Sequence, residues 1–334
     1  MIRTIAALLS AACGAGLAHA QTAQPVPQDE AARSILDDVL TEAPPAGGET
    51  GPEAPRTLAE ATEGPSNVAL YAFGDADTTV YLMGTIHVLR PGTAWKTPEY
   101  EAAFEAADAV YVEADTSDEV VAELGPFLMT QGPNPPGVTF SSYFTPEQLA
   151  ALMPALEEVG IPLAALEPLR PWLASLQISM LALQKIGADP EAGVEELVEA
   201  DAAAAGKPVR FLETAMAQME MITGVPDEAW AASLTVEAGE MDDLEASFAE
   251  LIGAWYDGDM GAVGRLMNEG LEAAPELSEA ILFARNEDWA EQLADLVAAE
   301  PGTFLVAVGA GHLAGERSVQ DYLEARGHAV RRER

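Results

Sequence analysis

Four short apolar runs constrain this chain more than any other feature: Thr79–Ile86, Ala109–Ala114, Pro208–Leu212 and Thr303–Val308. Long Ala- and Leu-rich stretches with helical spacing separate them. Strands that alternate with helices point to an α/β arrangement. Val68–Phe73 adds a strand, joined to Thr79–Ile86 by the turn Gly74-Asp75-Ala76-Asp77, and His328–Arg331 predicts a short last one. Helices are expected over Glu99–Ala107, Pro146–Val159 behind Thr145 as its cap, Pro171–Ile186, Gly193–Ala205, Thr214–Thr223, most of Pro226–Tyr256, Ser278–Ala299 and Val319–Ala325. The expected fold class is therefore α/β with some α+β character: a central mixed sheet, helices around it, and a large helical insertion in the middle.

The N-terminus reads as a secretory leader over residues 1–20. Arg3 supplies the positive charge, Ile5–Leu17 the apolar stretch, and Ala18-His19-Ala20 a small-residue cleavage site. A rival reading makes Cys13 a lipidation site, but Ser10 stands three residues before it where a Leu is usual. Cys13 is the single cysteine, so neither an internal disulfide nor a Cys-based metal site is possible. Residues 21–65 are acidic, Pro-rich and without an aromatic residue, which predicts a disordered linker. The folded domain is then expected over 66–334, in a periplasmic or secreted protein. The net charge is −39, which argues against a nucleic-acid partner, since phosphates need a basic face. No segment after the leader has 18 uninterrupted apolar residues, so no transmembrane segment is expected in the mature chain.

The residues at the strand ends point to chemistry. Thr79–Ile86 leads into His87, Ala109–Val112 into Glu113, Pro208–Leu212 into Glu213, and Thr303–Val308 towards His312. In α/β sheets ligands bind beyond the carboxyl ends of the strands. Of the four histidines, His19 belongs to the leader and His328 lies near the C-terminus. The remaining two sit in matching Gly-x-x-His contexts, Gly84 to His87 and Gly309 to His312. Glycine there allows positive φ or close backbone approach. Imidazole and carboxylate oxygens suit Zn, Mn, Co or Fe(II), and a bound ion would make water a nucleophile. Blander roles stand beside these. Either histidine could be a hydrogen-bonded core residue, Glu113 a strand-end charge, and Glu213 a carboxylate opening the Thr214 helix. Arg170 and Arg285 could each hold a substrate carboxylate or form a structural ion pair.

Together, Tyr81-Leu82-Met83-Gly84-Thr85-Ile86-His87, Val112-Glu113, Phe211-Leu212-Glu213-Thr214 with Gln218, Arg285-Asn286 and Val308-Gly309-Ala310-Gly311-His312-Leu313 resemble the TraB/GumN family. That family includes the plasmid pheromone-shutdown proteins and the Wnt-cleaving Tiki ectodomains. The resemblance implies a fold akin to the erythromycin-esterase and ChaN-like proteins and, for the Tiki branch, metal-dependent peptide hydrolysis with Mn or Co. The positions that match are His87, Glu113, Glu213, Arg285 and His312. The expectation is a metal-dependent hydrolase of the peptidase kind acting on a peptide or small-molecule substrate. His87 and His312 would ligate a divalent metal (Mn, Co, Zn or Fe) with Glu113 or Glu213, the other carboxylate would be the base, and Arg285 would fix substrate or orient a carboxylate. Two alternatives use the same cleft: a protein that sequesters a peptide or small ligand without cleaving it, and a metal-free esterase-like hydrolase.

Overall fold

The turn Gly74-Asp75-Ala76-Asp77 closes the first hairpin for a local reason. Asp75 Oδ1 accepts from the backbone N–H of Asp77 at 3.2 Å and of Thr78 at 3.0 Å, a side-chain turn of the kind Asp favours. Gly74 has φ +154°, and a Cβ there would lie 2.0 Å from the Thr78 carbonyl oxygen, so the turn requires glycine. The hairpin joins β1 (Leu70–Gly74) to β2 (Thr78–Thr85). The other strands are β3 (Ala109–Ala114), β4 (Val209–Glu213), β5 (Gly302–Gly309) and β6 (Arg331–Arg332), in the spatial order β4-β3-β5-β2-β1-β6. The computed structural model describes residues 57–238, 244–269 and 274–334. The expected leader, Cys13 and the linker up to residue 56 lie outside them.

The four central strands are parallel: β2 pairs with β5, β5 with β3 and β3 with β4. β1 is antiparallel to β2 and to β6, so the sheet is mixed, as expected. Val80, Leu82, Val110, Leu305, Val306 and Ala307 are fully buried, which is the pattern of strands covered on both faces.

The helices follow their caps. α1 is Pro98–Ala106, with Thr97 accepting from Tyr100 N. α2, Asp118–Gln131, is not among the expected helices and holds Pro126 in its interior. α3 (Pro146–Val159) has a full capping box from Thr145 and Gln148. α4 is Pro171–Lys185, α5 is Val194–Ala205 and α6 is Ala215–Gly224. The expected helical run Pro226–Tyr256 divides into α7 (Asp227–Ala238) and α8 (Leu244–Tyr256). α9 is Met260–Glu269. The single helix expected over Ser278–Ala299 is interrupted: a short helical turn, Pro275–Ser278, enters a π-helical turn at Glu279–Phe283 before α10 (Ala284–Ala299). α11 (Val319–Ala325) precedes the last strand.

Residues 57–65, read from sequence as the end of the linker, pack against the body. Leu58 and Ala61 are buried, and Ala61 lies beside Gly253 of α8. No helix among the described residues is long and apolar enough to cross a membrane.

Candidate metal centre at the strand ends

Close packing, not positive φ, explains the two Gly-x-x-His glycines. Neither has positive φ. A Cβ on Gly84 would lie 3.0 Å from Ala310 Cα. A Cβ on Gly309 would lie 3.1 Å from both Glu113 Oε1 and His87 Nε2, and 3.5 Å from His312 Cδ2. The missing side chain of Gly309 therefore leaves a small space on which a buried imidazole nitrogen and a buried carboxylate oxygen converge.

Each of these donors is held from behind. His87 Nδ1 meets Glu195 Oε2 at 2.9 Å, and Thr85 Oγ1 donates to Glu195 Oε1 at 2.8 Å. Glu195 lies in the first turn of α5, which docks on the His87 loop through Val194 N donating to Ile86 O at 2.9 Å. Gly193 makes that approach possible, since a Cβ there would lie 2.3 Å from the His87 carbonyl oxygen. One donor atom from each of His87, Glu113 and Glu195 lies within 4.8 Å of the others. Glu195 is the residue that sequence reasoning missed. Its Gly193-Val194-Glu195-Glu196 setting looks like any acidic first turn, and the glycine was the only hint.

Arg285 is satisfied throughout. Nε donates to Glu213 Oε1 at 2.9 Å, and Nη2 to Glu113 Oε2 at 2.5 Å and also to Glu213 Oε1. Nη1 donates to Ile281 O at 3.0 Å and to His312 Nε2 at 3.2 Å. All five guanidinium N–H groups are thus used. Arg285 is engaged in ion pairs with Glu113 and Glu213.

His312 takes its place from Asn286. Asn286 Nδ2 donates to Arg317 O at 2.8 Å, which orients the amide so that Oδ1 faces His312 Nδ1 at 2.6 Å. Nδ1 must then carry the proton, and Nε2 accepts from Arg285. Arg317, at φ +60°, is the one non-glycine residue with positive φ among the described residues, and its carbonyl makes this contact. The His312 ring packs on Trp289 at 4.4 Å between centroids. Burial, with Arg285 beside it, pushes the His312 pKa down to about 3. His312 and Glu213, expected among the metal ligands, lie outside the converging group, and Glu195 stands in it. His312 Nε2 is 3.7 Å from Glu113 Oε1 but faces a cation. Glu213 Oε1 is taken by Arg285 and by Gln218 Nε2 at 2.7 Å, while its Oε2 has no hydrogen bond among the described residues.

The electrostatics agree with this geometry. Burial alone would raise the Glu113 pKa, but Arg285, His312 and His87 outweigh it and hold the carboxyl well below its usual range. Burial raises Glu195 against the pull of His87. Burial also opposes charge on His87, yet Glu195 and Glu113 outweigh it and raise its pKa. Burial raises Glu213 as well, against Arg285. Glu113 and Glu213 share one permanent cation, Arg285, while Glu195 faces His87, and a divalent ion would add positive charge among these carboxylates. The donor set and the space beside Gly309 both fit such an ion.

The TraB/PrgY/gumN family profile matches residues 69–332, which takes in every residue of this centre. The chain belongs to the TraB/PrgY/gumN family. Relatives within it include "Uncharacterized protein YbaP" of Escherichia coli (strain K12), 27% identical over 260 residues, covering 73% of this chain and 87% of the relative. The protein of the same name from Shigella flexneri matches to the same extent. No solved structure matches the chain.

Proposed function

We propose that this member of the family is a metal-dependent hydrolase acting on peptides. The observation that carries the reading is the convergence of His87 Nε2 and Glu113 Oε1 on the space left by Gly309, with Glu195 behind the imidazole. His87 and Glu113 would hold the ion, and Glu195 would fix the imidazole from behind. The Glu195 contact to Nδ1 is the carboxylate–histidine pairing that turns the other ring nitrogen to a metal. A divalent ion bound there supplies Lewis acidity and lowers the pKa of water.

The chain's own residues do the rest. Glu213 Oε2, without a hydrogen bond among the described residues, is the site for proton acceptance, and burial raises its pKa above the ordinary carboxylate value. Arg285 keeps Glu113 ionised and fixes the orientation of Glu213. His312, neutral and held by Asn286, accepts the one guanidinium N–H that would otherwise point at the centre unpaired. A location outside the cytoplasm is part of the proposal, on the strength of the leader-like residues 1–20.

The test is elemental analysis of the purified chain after incubation with Mn, Co, Zn or Fe(II), beside His87→Ala and Glu113→Gln, with new amino termini counted in a peptide mixture. The expected result is near-stoichiometric metal, lost in both variants together with peptide cleavage. Absence of binding for every ion, or unchanged binding in both variants, sinks the proposal.

A further inference from the structure

The two edges of the sheet are finished differently. At one edge lies β6, two residues long and made of two arginines, which is how folded proteins discourage strand pairing. At the other lies β4, five residues long, paired only with β3 among the described residues. Its backbone orientation follows from one hydrogen bond. Val110 N donates to Pro208 O at 2.9 Å, and Val110 lies opposite Val209. In a strand, successive residues point their N–H and C=O groups to opposite sides. Pro208, Arg210 and Leu212 therefore face β3, and Val209 and Phe211 turn theirs away from it. No loop, turn or helix of the described residues bonds to the backbone of Val209 or Phe211. Phe211 is 38% exposed, one of the few large apolar side chains that are.

We propose that the open edge of β4 docks an extended polypeptide by strand addition, guiding it towards the strand-end centre. Unpaired N–H and C=O groups that recur every second residue, roughly 6.7 Å apart, are matched by the backbone of another extended chain. The Phe211 ring offers the added strand an apolar contact on one face. β4 ends at Glu213, so a chain laid along it continues past the carboxylate bound by Arg285. The net charge of −39 favours a basic peptide. The inference deepens the hydrolase reading, and rests on it for the fate of the docked chain but not for the docking.

The register makes a selective test available. Phe211→Pro removes an N–H that points outward and leaves the ladder to β3 intact, and proline is tolerated at such edge positions. Phe211→Ala removes the ring and keeps the N–H. The probe is a fluorescein-labelled decapeptide of alternating Val and Lys, with an analogue N-methylated at four consecutive central residues, binding to the full chain by fluorescence anisotropy without added metal. The expected result is that the wild-type chain binds the probe, that Phe211→Pro weakens binding about tenfold or more, and that N-methylation does the same without touching the protein. Phe211→Ala weakens it less. Equal binding by wild type and Phe211→Pro, equal binding of the N-methylated analogue, or no binding by the wild type overturns the proposal. Cleavage is scored separately on a tripeptide too short to form the added strand, with metal present. Docking without any cleavage leaves the edge assignment standing and removes the hydrolase; tripeptide cleavage without decapeptide docking does the reverse.

Discussion

Gly309 carries more of the candidate chemistry than its lack of side chain suggests. Gly309→Ala places a methyl group 3.1 Å from His87 Nε2 and Glu113 Oε1. That position has ordinary φ, so the backbone tolerates the change and the loss falls on the space between the donors. Metal binding by elemental analysis should drop at least tenfold, with the unfolding midpoint of the metal-free chain shifted by no more than a few degrees. A midpoint collapse would show the glycine to be a packing requirement instead. Asn286 acts at the same scale through the His312 ring. Asn286→Leu leaves the buried His312 Nδ1 without a partner, at a cost of about 1–3 kcal/mol. Chemical denaturation should record that loss. In the wild-type chain, nitrogen NMR should show the proton of His312 on Nδ1 near neutral pH; a proton on Nε2 contradicts the assignment. His87, Glu113, Glu213 and His312 were legible from strand ends and matching glycines, and Arg285 from the family resemblance. Their partners were not, because a hydrogen bond between residues 172 positions apart, such as Arg285 to Glu113, leaves no local trace.

Among the elements, the π turn before α10 and the acidic face of α5 lead to separate expectations. Ala284 N donates to Glu279 O, five residues back, which adds one residue to the turn relative to an α-helix. Deleting Ala280 would restore α-helical spacing and turn the residues on one side of the deletion by about 100° relative to the other. Arg285 could then no longer meet Glu113 and Glu213 while the preceding turn keeps its packing. The deletion variant should lose metal binding while keeping its helix content by circular dichroism; retained binding would mean the π turn does not set the position of Arg285. On α5, burial together with Glu196, Glu195 and Asp115 pushes the Glu199 pKa up to about 7. A carboxyl whose folded pKa is raised stabilises the fold below its unfolded pKa, and that contribution is lost as pH rises through about 7. Glu199→Gln should therefore raise the unfolding midpoint at pH 8, by about 1 kcal/mol or a few degrees, and change little at pH 4. A benefit confined to acid pH would reverse the sign. A cap such as Thr145 was readable because it acts within four residues. The π turn was not, since tertiary packing overrode the local spacing.

At the scale of the whole molecule, the centre ties together the sheet, α5, α6 and α10. A cation that binds only the folded chain should stabilise all of it, by about 2.7 kcal/mol at a hundredfold excess over Kd. The calorimetric midpoint should rise with the ion that elemental analysis identifies and fall on adding chelator, and His87→Ala should abolish the difference. The sequence by itself determined the alternation of strands and helices, the α/β class, and two histidines and two carboxylates at strand ends. These arise from side-chain period, turn chemistry and capping, all of which act over a few residues. Only the tertiary structure decided which groups share the space beside Gly309. It brought Glu195 behind His87 through the docking of α5, and gave His312 to Asn286 and Arg285. It also left Glu213 with one oxygen open and β4 with an open edge. Those outcomes depend on distances between elements far apart in the chain, and packing alone sets them.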